Sequence, residues 1–116
     1  MTENRKFLRF ETAFNAICSI LSEKCKASYK VKNISKEGAL LLLDRKLREG
    51  DEMDVSMDVP GDNMPVFATC QVAWQKPLDE GSYYDTGVKF TKIDNPDRGR
   101  LLEYIYVQWL RVLDRK

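Results

Sequence analysis

The sequence predicts a small, mainly β protein: a six-stranded antiparallel β-barrel followed by a C-terminal α-helix. Three observations carry that prediction. Apolar and polar residues alternate with period two from Phe10 to Phe90, the alternating runs are punctuated by short turns that contain Gly, and the period becomes helical after Asn95 and Pro96. Short strands joined by tight turns favour closure, because a closed barrel leaves no unpaired edge.

In the first run, Phe10, Thr12, Phe14, Ala16, Cys18 and Ile20 share one face, and Glu11, Asn15 and Ser19 the other. That is the pattern of a half-buried strand. The same stretch also fits a helix with Phe7, Phe10, Phe14, Ile17 and Leu21 on one stripe, so taken alone it leaves both readings open. In the second run Cys25, Ala27, Tyr29 and Val31 alternate with Lys24, Lys26, Ser28, Lys30 and Lys32. "GALLLL", from Gly38 to Leu43, reads as a third and more fully buried strand. Met53, Val55, Met57 and Val59 alternate with Glu52, Asp54, Ser56 and Asp58 in the fourth. Val66, Ala68, Cys70, Val72 and Trp74 define one face of the fifth, and Tyr84, Thr86, Val88 and Phe90 one face of the sixth. "SKEG", "REGD", "VPGDN" and "DEGS" supply the reversals.

Asn95 and Pro96 suit the N-cap and first position of a helix of about four turns. At about 100° per residue, Leu101, Leu102, Ile105, Tyr106, Trp109, Leu110, Val112 and Leu113 cover roughly half of its cylinder. One small barrel does not need so wide a face, which marks the helix as a candidate contact surface.

Composition narrows the function. A chain of 116 residues suits one domain. Its 19 basic and 18 acidic residues leave a net charge of +1, too little for bulk binding of DNA or RNA. Any anion recognised is expected to be small and held locally. Cys18, Cys25 and Cys70 include no CxxC pair and come with no His, which argues against a disulfide framework or a Cys/His zinc site, and no cofactor or metal is assigned. The lack of His also removes the commonest general base. Asp51, Glu52 and Asp54 read as a polar turn, "REGDEMD", rather than an acid–base pair, so no catalytic residue is assigned and no enzyme is expected. With neither a signal peptide nor a membrane-length apolar run, the chain is expected to be cytoplasmic.

Two motifs remain. Arg5 and Arg9 stand four residues apart ahead of the first strand, and "KNISKEG" places Asn33, Ser35 and Gly38 at the turn between the second and third. Arg-x-x-x-Arg followed by Asn/Asp-x-Ser-x-x-Gly resembles the signature of the PilZ domain, a bacterial receptor module for cyclic di-GMP. "CQVAW" and "TGVKF" are similar to that family's fifth and sixth strands, so the resemblance runs from Arg5 to the terminal helix. It implies that Arg5, Arg9, Asn33, Ser35 and Gly38 bind cyclic di-GMP. Their chemistry suits such a ligand. Guanidinium groups pair bidentately with phosphate or with guanine O6 and N7, and stack on purines, while Asn33 both donates to and accepts from a guanine edge. Trp74 and Lys89 lie near strand ends where further stacking or phosphate contacts are conceivable, but Trp74 reads first as core and Lys89 as solvated.

These readings divide the chain into an arm over residues 1–9 carrying the arginine pair, a barrel over 10–94 and a helix over 95–116. With only four residues ahead of Arg5, output is expected to pass to a protein partner or through self-association, with the helix as the surface and ordering of the arm on ligand as the signal. The alternative is a PilZ-like adaptor that works through protein contacts without nucleotide.

Overall fold

Alternation becomes a closed barrel because each strand has one apolar face, and closing the sheet buries all of them against one another. The computed structural model describes the backbone of residues 10–22, 24–60, 64–79 and 81–114, and the side chains of these except 10–13 and 112–114. Its elements are β1 (Phe10–Ile20), β2 (Cys25–Ile34), β3 (Gly38–Leu43), β4 (Glu52–Met57), β5 (Val66–Pro77), β6 (Tyr84–Ile93) and α1 (Asn95–Asp114). The strand order round the barrel is β1-β2-β3-β6-β5-β4, every pair antiparallel. The first run is therefore a strand, not a helix. At 20 residues α1 is longer than the four turns its spacing predicts.

Inside lie Ala16, Cys18, Ile20, Val31, Leu41, Leu43, Met53, Met57, Val66, Cys70, Val72 and Val88, each nearly or wholly excluded from solvent. In β3 the burial is less complete than predicted, because Leu40 and Leu42 face outward and are half-buried. Two caps close the ends. At one, the segment from β3 to β4 is pinned by Gln75, whose Nε2 donates to Arg45 O and Thr86 Oγ1 (both 3.0 Å) while its Oε1 accepts from Leu47 N (2.7 Å). Leu47 is buried there. At the other, α1 inserts Leu101 and sets Tyr104 edge-on to Phe14, ring centroids 5.8 Å apart. Asp97 accepts from Phe67 N (3.1 Å) and pairs with Arg100, which also donates to Met64 O and Pro65 O. This clasp fastens the first turns of α1 to the start of β5.

Perfect period-two pairing would hold every strand flush, yet among the described residues the register slips in four places. In β2, Val31 pairs with Leu41 but Asn33 with Leu40. In β5, Val72 pairs with Val88 but Trp74 with Gly87. Each slip inserts one residue on one strand, a β-bulge, and turns the following side chain to the other face. Further slips fall between Glu11 and Phe14 and between Thr69 and Cys70.

Candidate functional site

The bulge in β2 sets two successive half-buried residues, Lys32 and Asn33, between the buried Val31 and Ile34. Both therefore lie on the outside of the barrel. Lys32 spans β3 to pair with Asp85 on β6 (Nζ to Oδ1, 2.8 Å). Beyond Ile34 the chain turns, and the residues of "SKEG" make the turn rigid: Ser35 N donates to Gly38 O (2.8 Å), Ser35 Oγ also donates to Gly38 O (3.4 Å), and Glu37 N donates back to Ser35 Oγ (3.3 Å). Phe90 N donates to Glu37 O (2.8 Å), tying the turn to β6. Ser35 is 1% exposed, so its hydroxyl is engaged with its own turn.

Gly38 is needed for a different reason from the one a turn suggests. Its φ is not positive, unlike those of Gly50 and Gly81, but a Cβ on it would lie 2.0 Å from Val88 O. Glycine here permits the close approach of β3 to β6. Gly87 plays the complementary part: a Cβ there would meet Trp74 Nε1 at 2.2 Å and Cε2 at 2.4 Å. The indole of Trp74 therefore lies against the bare backbone of Gly87.

Trp74 is 47% exposed, which corrects its assignment to the core. The bulge after Val72 reverses its side, so that continuous alternation from Val66 points the wrong way by the time it reaches residue 74. Lys89 is exposed, as expected, and stands beside Gly38 in the ladder.

Registers connect these residues. Glu11 pairs with Asn33, Asn33 with Leu40, Leu40 with Gly87 and Gly87 with Trp74. From Asn33 through Leu40 and Gly87 to Trp74 they form one lateral row on the outer face of the barrel, about 14 Å long measured along the sheet over three strand spacings. The turn and Lys89 flank the row on the side nearest α1, and the Lys32–Asp85 pair flanks it on the other. Arg5 and Arg9 lie outside the described residues. The backbone nonetheless fixes where their segment joins: β1 begins at Phe10, paired with Ile34 next to the turn.

A depression of about 490 Å³ continues past Trp74, lined by Lys46, Leu47, Gln75, Pro77 and Tyr84. Another, of about 460 Å³, lies on the far side of the barrel with Ile17 and Phe67 at its mouth. Asp54 and Asp94 line it together with Lys26 and Lys92, so it presents no net cationic surface to an anion. Among the described residues no group of His, Cys, Asp or Glu is arranged to hold a metal, and no helix is long and apolar enough to cross a membrane. Burial pushes the Cys18 thiol up to about 12 and raises Cys70 too, so neither carries nucleophilic character.

The barrel is thus capped by one helix and carries a braced Asn-x-Ser-x-x-Gly turn at its edge. The family model of the PilZ domain matches residues 3–107, and the chain belongs to the PilZ family, a family of c-di-GMP receptors and adaptors rather than enzymes. Solved structures share the fold. The inhibitor of motility MotI/DgrA of Bacillus subtilis matches with a TM-score of 0.80 at 14% identity, over 95% of this chain and 53% of that one. The K. pneumonia MrkH–c-di-GMP complex matches at 0.76 and 17%, over 99% and 57%. The PilZ domain of YcgR from Escherichia coli, solved with c-di-GMP, matches at 0.67 and 13%, over 97% and 96%. This chain thus spans about half the length of the first two. No curated protein sequence matches it.

Proposed function

We propose that this protein is a cyclic di-GMP receptor that binds the nucleotide across the outer row from Asn33 to Trp74. The observation that carries the reading is the juxtaposition of that row with the turn and with the point where the Arg5–Arg9 segment enters the barrel. A cyclic dinucleotide needs two phosphates neutralised and two bases held. Arg5 and Arg9 supply bidentate cations for phosphate or for guanine O6 and N7. Asn33 offers donor and acceptor to a guanine edge. Ser35 acts through the turn it braces, and Gly38 keeps that turn against β6. Trp74, with one face on Gly87, offers its other face for stacking.

Closure of residues 1–9 over the ligand would then alter the surface presented beside α1, relaying second-messenger level to a protein partner. The exposed apolar face of α1 also fits the second reading, an adaptor without nucleotide. Calorimetric titration with cyclic di-GMP, with single-stranded RNA as control, separates the two. Saturable binding of the dinucleotide alone supports the receptor, and no heat from either ligand supports the adaptor.

A further inference from the structure

We infer that α1 pairs in parallel with α1 of a second copy of this chain, through the face turned away from the barrel. The helix uses one side for its own domain: Leu101 is buried, and Tyr104 and Ile105 pack on the core. Leu102, Tyr106, Val107, Trp109 and Leu110 are left 37–55% exposed. Tyr106 and Trp109 already lean on each other, centroids 6.1 Å apart, which holds both rings in one patch.

The spacing of this second face says what covers it. Leu102, Tyr106, Trp109 and, in the sequence, Leu113 are separated by four, three and four residues. That alternation is the seam of a helix pair, with Leu102 and Trp109 at d and Tyr106 and Leu113 at a. The flanks choose the partner and its direction. Arg98 falls at g and Glu103 at the following e, both exposed. In a parallel pair the g residue of one helix faces the next e residue of the other, so Arg98 meets the partner copy's Glu103 twice, once on each side of the two-fold axis. Leu110, at the next e, lies at the edge of the seam and is 39% exposed.

Geometry leaves room for the pair. Counting about 100° per residue, the seam is centred roughly 120° round α1 from Leu101, Tyr104 and Ile105. The two barrels therefore hang on the outer sides of the pair. From Arg98 to Leu113 the helix runs about 22 Å. A seam that short lies near the small end of specific interfaces, roughly 1,000 Å² in total. The expected state is a reversible dimer with a dissociation constant in the micromolar range, about 1 to 100 µM.

Sedimentation velocity on the full chain, from about 1 µM to about 1 mM, tests this. The wild type should shift from monomer to dimer across that range, and Trp109→Glu should remain monomeric with its melting transition retained. Arg98→Glu and Glu103→Arg should each weaken the dimer roughly tenfold at low salt, since each homodimer then opposes like charges at both positions. Mixing those two variants in equal amounts should restore dimerisation, because both cross-pairs become attractive. Monomer throughout the range overturns the inference. So does a dimer indifferent to Trp109→Glu, or a mixture that dimerises no better than its components.

Discussion

Two glycines separate holding the fold from holding a ligand. A methyl group on Gly38 would fall 2.0 Å from Val88 O, a backbone atom that cannot rotate away. Gly38→Ala should therefore force β3 and β6 apart and cost about 2 kcal/mol or more of stability, read from the midpoint of a urea transition. At Gly87 the obstacle is the Trp74 side chain, which can swing into solvent. Gly87→Ala should cost less stability, and in the proposed site it should weaken cyclic di-GMP binding together with Trp74→Ala, by about 1 to 3 kcal/mol for a lost stacking partner. Arg9→Ala should weaken binding by about 2 to 4 kcal/mol, roughly 30- to 1000-fold, with the melting temperature unchanged. Unaltered calorimetric affinity in that variant would remove Arg9 from the site.

At the scale of elements, the clasp between α1 and β5 ties stability to pH. Burial alone would raise the Asp97 carboxyl, but hydrogen bonds from Arg100 and from Phe67 N, with the charge of Arg100, leave it below its ordinary 3.8. A carboxyl lowered on folding contributes stability above its unfolded value, and that contribution disappears as pH falls through the lower folded value. Asp97→Asn should lower the melting temperature at pH 7, and the difference from wild type should narrow as pH falls below about 4, where the unfolded chain's carboxyl takes up its proton and the contribution begins to be lost. Equal losses at pH 7 and pH 3 would mean that Asp97 acts by packing. The elements themselves are largely legible in the sequence, because period two reports directly which face of a strand is buried. Met53, Val55 and Met57 keep their predicted side, and Asn95 and Pro96 mark the start of α1. Bulges are not legible, since an inserted residue exists only relative to the strand opposite. Hence alternation puts Trp74 in the core and the turn motif puts Gly38 in a turn conformation, although the motif spacing does bring Asn33, Ser35 and Gly38 to the right connection. The adjacency of β3 and β6, which completes the row to Trp74, depends on pairings between residues far apart in the chain.

Across the whole molecule, the proposed site and the barrel-facing side of α1 are joined by one strand. β1 starts at Phe10, opposite Ile34 and next to the turn, slips register between Glu11 and Phe14, and sets Phe14 against Tyr104 of α1. Ligand held by Arg5 and Arg9 would thus pull on the end of a strand whose next contact is the helix. Because that hold is a pairing of formal charges, affinity for cyclic di-GMP should fall as salt rises from about 0.05 to 0.5 M, and Arg9→Ala should flatten the dependence. The structural consequence is measurable by hydrogen exchange. Saturating cyclic di-GMP should increase protection of amides in residues 2–9 and at the start of β1, because backbone that closes over a ligand gives up solvent contact. Protection gained only at the turn would confine the ligand to the barrel face, and the relay through β1 would have to be abandoned even with binding established. Protection that spreads from residues 2–9 into the first turns of α1, and is lost in Phe14→Leu while binding persists, would identify the Phe14–Tyr104 edge contact as the link.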